Sequence, residues 1–142
     1  KRVQMIRKTP ITATREYYSD IPTEFTLNPV NGDLTRKVNE EAVKQSILNL
    51  LLTSKGEIPF QPNVGSDLYS VLFDNASPNS VELAKDLIKE TIENFEPRAD
   101  LIDVELSSVN ELDNNGMNLT IAFYIINSEE PVTFTTFLTR IR

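Results

Sequence analysis

Apolar residues recur at helical spacing in two stretches of the chain and then change to a period of two. In the first stretch Ala42, Val43, Ile47, Leu50 and Leu51 share one face of a helix predicted over residues 39–52. Asn39 is placed to act as its N-cap, and Glu40 and Glu41 fall in the first turn, where the helix dipole favours negative charge. The second stretch opens at Ser77-Pro78, with Ser77 as N-cap and Pro78 at the first helical position, where its missing N–H costs nothing. Val81, Ala84, Ile88, Thr91 or Ile92, and Phe95 form its apolar face, and Pro97 ends it. Glu82 with Lys85 and Asp86 with Lys89 offer i,i+3 pairs worth roughly 0.2–0.5 kcal/mol each. Between these helices Gly56 is expected to supply the left-handed residue that ends the first. Pro59 and Pro62 are expected to hold extended backbone around Phe60. Gly65-Ser66 then opens a short helix with Leu68, Tyr69, Leu72 and Phe73 on its buried side.

After Pro97 the pattern becomes strand-like. Leu101 to Leu106 alternates apolar and acidic residues, as a half-buried strand does. Asn114-Asn115-Gly116 signals a hairpin with positive φ at both turn positions. Met117 to Ile126 is the next strand, with Met117, Leu119, Ile121, Phe123 and Ile125 on one face. Ser128-Glu129-Glu130-Pro131 makes a second turn, and Val132 to Ile141 is a third strand rich in Thr and Phe. The predicted fold class is therefore α+β: two to three helices packed on a C-terminal antiparallel meander of about three strands. Residues 1–32 carry Pro10, Pro22 and Pro29 and only spaced apolar anchors, so they read as an extended arm closed by the turn Asn31-Gly32-Asp33. Residues 33–142 read as a single domain.

Composition removes several kinds of chemistry. The chain has no Cys and no His, hence no thiolate, no imidazole base and none of the usual zinc ligands. Leu50-Leu51-Leu52 is the longest apolar run among the helices, far short of the ~20 residues that span a bilayer, and no apolar h-region follows the basic start. The net charge is −7, but five of the fourteen cations and none of the twenty-one acids fall in residues 1–15, which leaves the remainder at −12. A basic arm of this kind docks on an acidic partner or is a solvated terminus. Nucleic acid is not an expected partner, because the acidic body repels phosphates.

The candidate chemistry is carboxylate-only. Glu57, Asp67, Asp74, Glu96 and Asp100 lie nearest to turns, but no spacing makes the two facing carboxyls that a glycosidase needs. Asp113-Asn114-Asn115-Gly116 lacks the length and the later Glu of a calcium loop. No cofactor or metal is expected. Glu96-Pro97-Arg98 has two readings. It is helix-end punctuation, with Arg98 near the negative end of the dipole, or it is a contact site in which Pro97 makes Glu96 and Arg98 project rigidly. On the second reading, Arg98→Ala would leave the fold nearly intact. Val132 to Thr139 is uncharged, β-branched and aromatic, and as a sheet edge it is a template for another strand and for self-association.

Two signatures stand one helix apart: Lys55-Gly56-Glu57-Ile58-Pro59-Phe60-Gln61-Pro62 with Val64-Gly65 and Leu72-Phe73, and Asn94-Phe95-Glu96-Pro97-Arg98 before the meander. In this order residues 33–142 resemble the baseplate wedge and sheath-initiator family of contractile phage tails, with members in type VI secretion and related injection systems. Asn28-Pro29-Val30-Asn31-Gly32-Asp33-Leu34 resembles members from contractile myophages. The family more often has Arg before the first Pro of this loop, where Ile58 stands here. The resemblance implies a non-enzymatic virion protein of the tail baseplate, assembled in the host cytoplasm and present in several copies around the tail axis. It implies that Glu96, Pro97 and Arg98 contact the wedge core bundle formed by other baseplate subunits. It also implies that the sheet accepts a strand from the tail sheath protein, for which the edge is expected at Val132, Phe134, Thr135, Thr136, Phe137 and Leu138. The tail tube is a further partner. The family also carries a lysozyme label, so a peptidoglycan-degrading glycosidase is the alternative, and a generic interaction domain is a third reading.

Overall fold

The computed structural model describes residues 17–73, 78–108, 116–126 and 128–139. Ser77 as N-cap, the Asn114-Asn115 part of the hairpin, Asp74, the basic residues 1–15 and the strand end at Ile141 lie outside these residues.

Residues 17–38 form a short antiparallel ribbon. β1 (Ser19–Asp20) pairs with β2 (Lys37–Val38), and Leu27 bridges to Leu34. The chain reverses where the Asn28 N–H donates to Asp33 O (2.7 Å) and the Gly32 N–H to Asn28 O (2.9 Å), with Gly32 at φ +69°. This is the turn expected at Asn31-Gly32-Asp33. Asn39, just before the next helix, and Gln45 within it hold the ribbon. Asn39 Oδ1 accepts from the N–H groups of Tyr17 (2.8 Å) and Tyr18 (3.3 Å). The buried Gln45 donates to Ile21 O (2.8 Å) and accepts from the Thr23 N–H (3.3 Å). Asn39 therefore makes no side-chain cap bond to α1 (Glu40–Leu52), because its oxygen serves the ribbon instead.

The end of α1 also differs from expectation. Thr53 follows the helix in extended conformation, and Ser66 reaches back: its Oγ donates to Leu51 O (2.8 Å) and its N–H to Thr53 O (2.8 Å). Gly65, at φ +116°, allows this approach, since a Cβ there would lie 2.5 Å from Thr53 O. Gly56 is left-handed (φ +85°), but it turns the following loop and donates to Pro62 O rather than ending the helix. α2 (Leu68–Phe73) follows, then α3 (Pro78–Phe95). Ala84, Ile88, Thr91 and Ile92 are buried on α3 as expected, whereas Phe95 is partly exposed. An ion pair on this helix joins Lys89 and Glu93 (3.9 Å) at i,i+4 spacing.

β3 (Ala99–Ser108), β4 (Gly116–Ile125) and β5 (Pro131–Thr139) form an antiparallel sheet in that order. The fold is α+β. The helices cover the face that carries Leu119, Ile121, Phe123 and Ile125, the face expected from the period-two pattern. Val43, Ile47 and Leu51 of α1, Leu68 of α2 and Ile88 of α3 complete the core, each fully buried side chain contributing about 1.5–3 kcal/mol. Phe134 of β5 meets Phe123 edge-on, with ring centres 6.2 Å apart. The register of β3 slips between Leu101 and Asp103. The bulge places Ile102 outward at 48% exposure and returns Val104 and Leu106 to the inner phase. Gly116 is a strand residue paired with Thr139, not a positive-φ turn residue. The Phe137 ring lies over it, so a Cβ there would meet Cζ at 2.3 Å.

Candidate functional site

Glu96-Pro97-Arg98 forms the turn from α3 into β3, and it does not project as a pair. Glu96 is 3% exposed. The Arg98 Nε donates to Glu96 Oε1 (2.6 Å) and a terminal nitrogen donates to Oε2 (2.8 Å), a two-pronged pairing of fork and carboxylate. Ser46 Oγ of α1 donates to the same Oε2. Burial alone would push the Glu96 carboxyl up, but the hydrogen bonds from Arg98 and Ser46 outweigh it and hold the carboxyl below its ordinary value. The same contact with Glu96 holds the Arg98 guanidinium above its ordinary value. Tyr18 of the ribbon lies beneath the guanidinium, 5.5 Å from its centre, and donates its O–H to Ile126 O (3.4 Å). Arg98 O accepts the Ile126 N–H (3.0 Å). The helix end, the ribbon and the β4 end thus converge on one charge pair. What faces solvent is Pro97 and the outer edge of Arg98, whose side chain is 30% exposed.

The second candidate, β5, lies at one edge of the sheet, and β3 lies at the other. The two edges differ. β3 is interrupted by its bulge and carries Asp100, Asp103 and Glu105 on its exposed face. β5 keeps continuous register with β4 from Pro131 to Thr139 and carries no charge. Val132 and Leu138 are buried, Phe134 and Thr136 are half-buried on the same inner face, and Thr135 and Phe137 are exposed. Pro131 has no N–H, so its pair with Tyr124 is one in which backbone groups point away from β4. Alternation then turns the backbone groups of Thr133, Thr135 and Phe137 towards the sheet edge that is open among the described residues. The hydroxyls of Thr120 and Thr135, hydrogen-bonded at 3.0 Å, fit the closer side-chain spacing of such a pair.

The carboxylates are scattered. Glu57 Oε2 accepts from the Ser54 N–H (3.0 Å), Asp67 lies 3.9 Å from Lys55 Nζ, and Asp100 is on the outer sheet face. A cleft of about 290 Å³ between the 55–65 loop and the last turns of α3 is lined by Lys55, Asn63, Gly65, Leu87, Glu90, Thr91, Asn94 and Phe95, with Glu90 as its acid. Among the described residues no cluster of His, Cys, Asp or Glu is arranged to hold a metal ion, and no helix is long and apolar enough to cross a membrane. Ser46 and Tyr18 were not legible as site residues. Ser46 lies fifty positions from Glu96 in sequence, and Tyr18 is one of several spaced aromatics in a segment with no periodicity.

Residues 37–130 match the family described as baseplate wedge protein gp25. Baseplate wedge protein gp25 of Enterobacteria phage T4 is 31% identical over 115 residues, spanning 81% of this chain and 85% of the relative. A crystal structure from Geobacter sulfurreducens, provisionally described as a tail lysozyme, superposes with a TM-score of 0.64 at 21% identity, covering 72% of this chain and 92% of that one. A chain of the anti-feeding prophage baseplate, seen by cryo-EM with six-fold symmetry, superposes with a TM-score of 0.58 at 21% identity, covering 88% and 87%.

Proposed function

Since the chain belongs to the baseplate wedge protein gp25 family, we propose that it is a structural wedge subunit of a contractile-tail baseplate, built in beside other baseplate subunits, and that it starts the sheath by accepting a strand at β5. The observation that carries the second part is the contrast between the edges. A charged, bulged edge resists strand pairing, and a flat uncharged one invites it. β3 is of the first kind and β5 of the second. Val132, Phe134, Thr136 and Leu138 supply the inner-face phase, and Thr135 and Phe137 the outer, so an added strand is read in register by alternate side chains. The strand donor is the tail sheath protein, and the tube lies alongside.

The Glu-Pro-Arg turn serves the contact with the wedge core bundle. The buried Glu96 acts through Arg98, fixing the guanidinium so that its outer edge and Pro97 meet the partner. No catalytic role is assigned. A glycosidase acid needs a raised pKa, whereas Glu96 is shifted down and Glu90 stands as the cleft's acid without a second carboxyl in the lining.

Thr135→Pro tests the strand addition. Thr135 turns its N–H away from β4, so proline there leaves the β4–β5 ladder in place and removes a donor from the free edge. Electron microscopy of particles carrying this variant is expected to show baseplate and tube without sheath. A full-length sheath on those particles would show that strand addition does not occur at this edge.

A further inference from the structure

The 53–66 loop holds a residue that the fold does not use. Its Ile58 O accepts the Gln61 N–H (3.2 Å), closing a turn with Pro59 and Phe60 at the centre. Phe60 has φ +69°, which makes this a type II turn with phenylalanine where glycine or asparagine normally sits. A bulky side chain in that conformation is strained. The ring gains nothing in return, because Phe60 is fully exposed. Backbone hydrogen bonds nevertheless brace the loop. Gly56 donates to Pro62 O, Glu57 to Ser54 O, Val64 to Gln61 O, and Ser66 ties its end to Thr53. An aromatic ring held out on a fixed, strained turn is a pre-organised anchor with little entropy left to lose on binding.

We infer that Phe60 is a docking anchor that seats in an apolar pocket, rimmed by Lys or Arg, on a different chain of the assembly. The inference rests on the proposal that this protein is built into a multi-subunit baseplate. Charge selects the partner. Lys55 and Asp67, just past the loop, neutralise one another at 3.9 Å, and among the described residues no cation pairs with the exposed Glu57 three positions before Phe60, on a molecule of net charge −7. A second copy would meet this surface with like charge, whereas a basic rim complements it.

The test combines Phe60→Asn with a photo-crosslinking residue, p-benzoylphenylalanine, at position 60. Asparagine suits the turn, so the variant's melting temperature is expected to equal or exceed that of the parent. Its incorporation into purified baseplates assembled without this subunit is expected to need about 30-fold more protein, the loss typical of an aromatic hot spot. Irradiation of intact particles is expected to join position 60 to a different chain. Undiminished incorporation of the asparagine variant, a clear fall in its melting temperature, a crosslink to a second copy or no crosslink would each overturn the inference. Failure of the parent protein itself to enter baseplates would instead overturn the baseplate reading, and Arg98→Lys measured alongside separates the Glu-Pro-Arg contact from the Phe60 contact.

Discussion

At the scale of single residues, Arg98 shows how a buried partner changes the meaning of an exposed motif. Viewed along the sequence, Arg98 follows a helix-stopping proline and fills no core volume, so its loss looks harmless. In the structure its removal would leave the carboxylate of Glu96, 3% exposed, with the neutral Ser46 hydroxyl as its side-chain donor among the described residues and no charge to offset its own. Arg98→Ala is therefore expected to cost about 3 kcal/mol at neutral pH by thermal or denaturant unfolding, because breaking a buried pair strands a charge. The pH dependence gives a sharper check. The folded pKa of Glu96 is depressed, so its stabilisation is fully present above the unfolded value of 4.5 and is lost as pH falls through the folded value. In Arg98→Ala the guanidinium's hydrogen bonds and charge no longer hold the carboxyl down, while burial still pushes it up against Ser46, so the variant is expected to lose less stability than the parent as pH falls below neutral. Parallel pH profiles for the two proteins would contradict this pairing.

At the scale of elements, the two close-packed glycines separate steric need from mere proximity. Gly65 faces backbone: a Cβ would lie 2.5 Å from Thr53 O, at φ +116°. Gly65→Ala is expected to destabilise by about 2–4 kcal/mol and to loosen the Ser66 contacts that close α1. Gly116 faces the far end of the Phe137 ring, which is 53% exposed and free to swing outward. Gly116→Ala is expected to cost about 1 kcal/mol or less. Equal losses in chemical denaturation would refute the distinction. The same elements show what the sequence made legible. Helix α3 and the inner face of β4 followed from periodicity, since burial is what periodicity records. The Ile102 bulge, the Asn39 clamp on the ribbon and the Ser66 closure of α1 did not, because each answers a neighbour distant in sequence. The extended backbone expected at Phe60 was wrong for a local reason. Proline restricts the residue before it, and Phe60 follows Pro59 and stands two positions before Pro62.

At the scale of the whole molecule, the helices and the inner sheet face close the core, and among the described residues β5 forms one margin of the sheet. On the proposed reading that margin and the outer edge of Arg98 are where other chains attach. An uncharged edge of this length is expected to make the isolated protein self-associate, with sedimentation velocity showing oligomers that Thr135→Pro reduces. The motif residues Glu96 and Arg98 were visible in sequence, but their mutual pairing was not. The β5 edge was visible as an uncharged run, and its place at the margin of the sheet required the strand order. The most direct measurement is a cryo-EM map of the assembled tail at a resolution that traces backbone beside residues 132–138. A sheath strand hydrogen-bonded along β5, with its backbone opposite Thr133, Thr135 and Phe137, is the expected result. A β5 edge left unpaired in a sheathed tail, or a sheath strand on β3 instead, would contradict it.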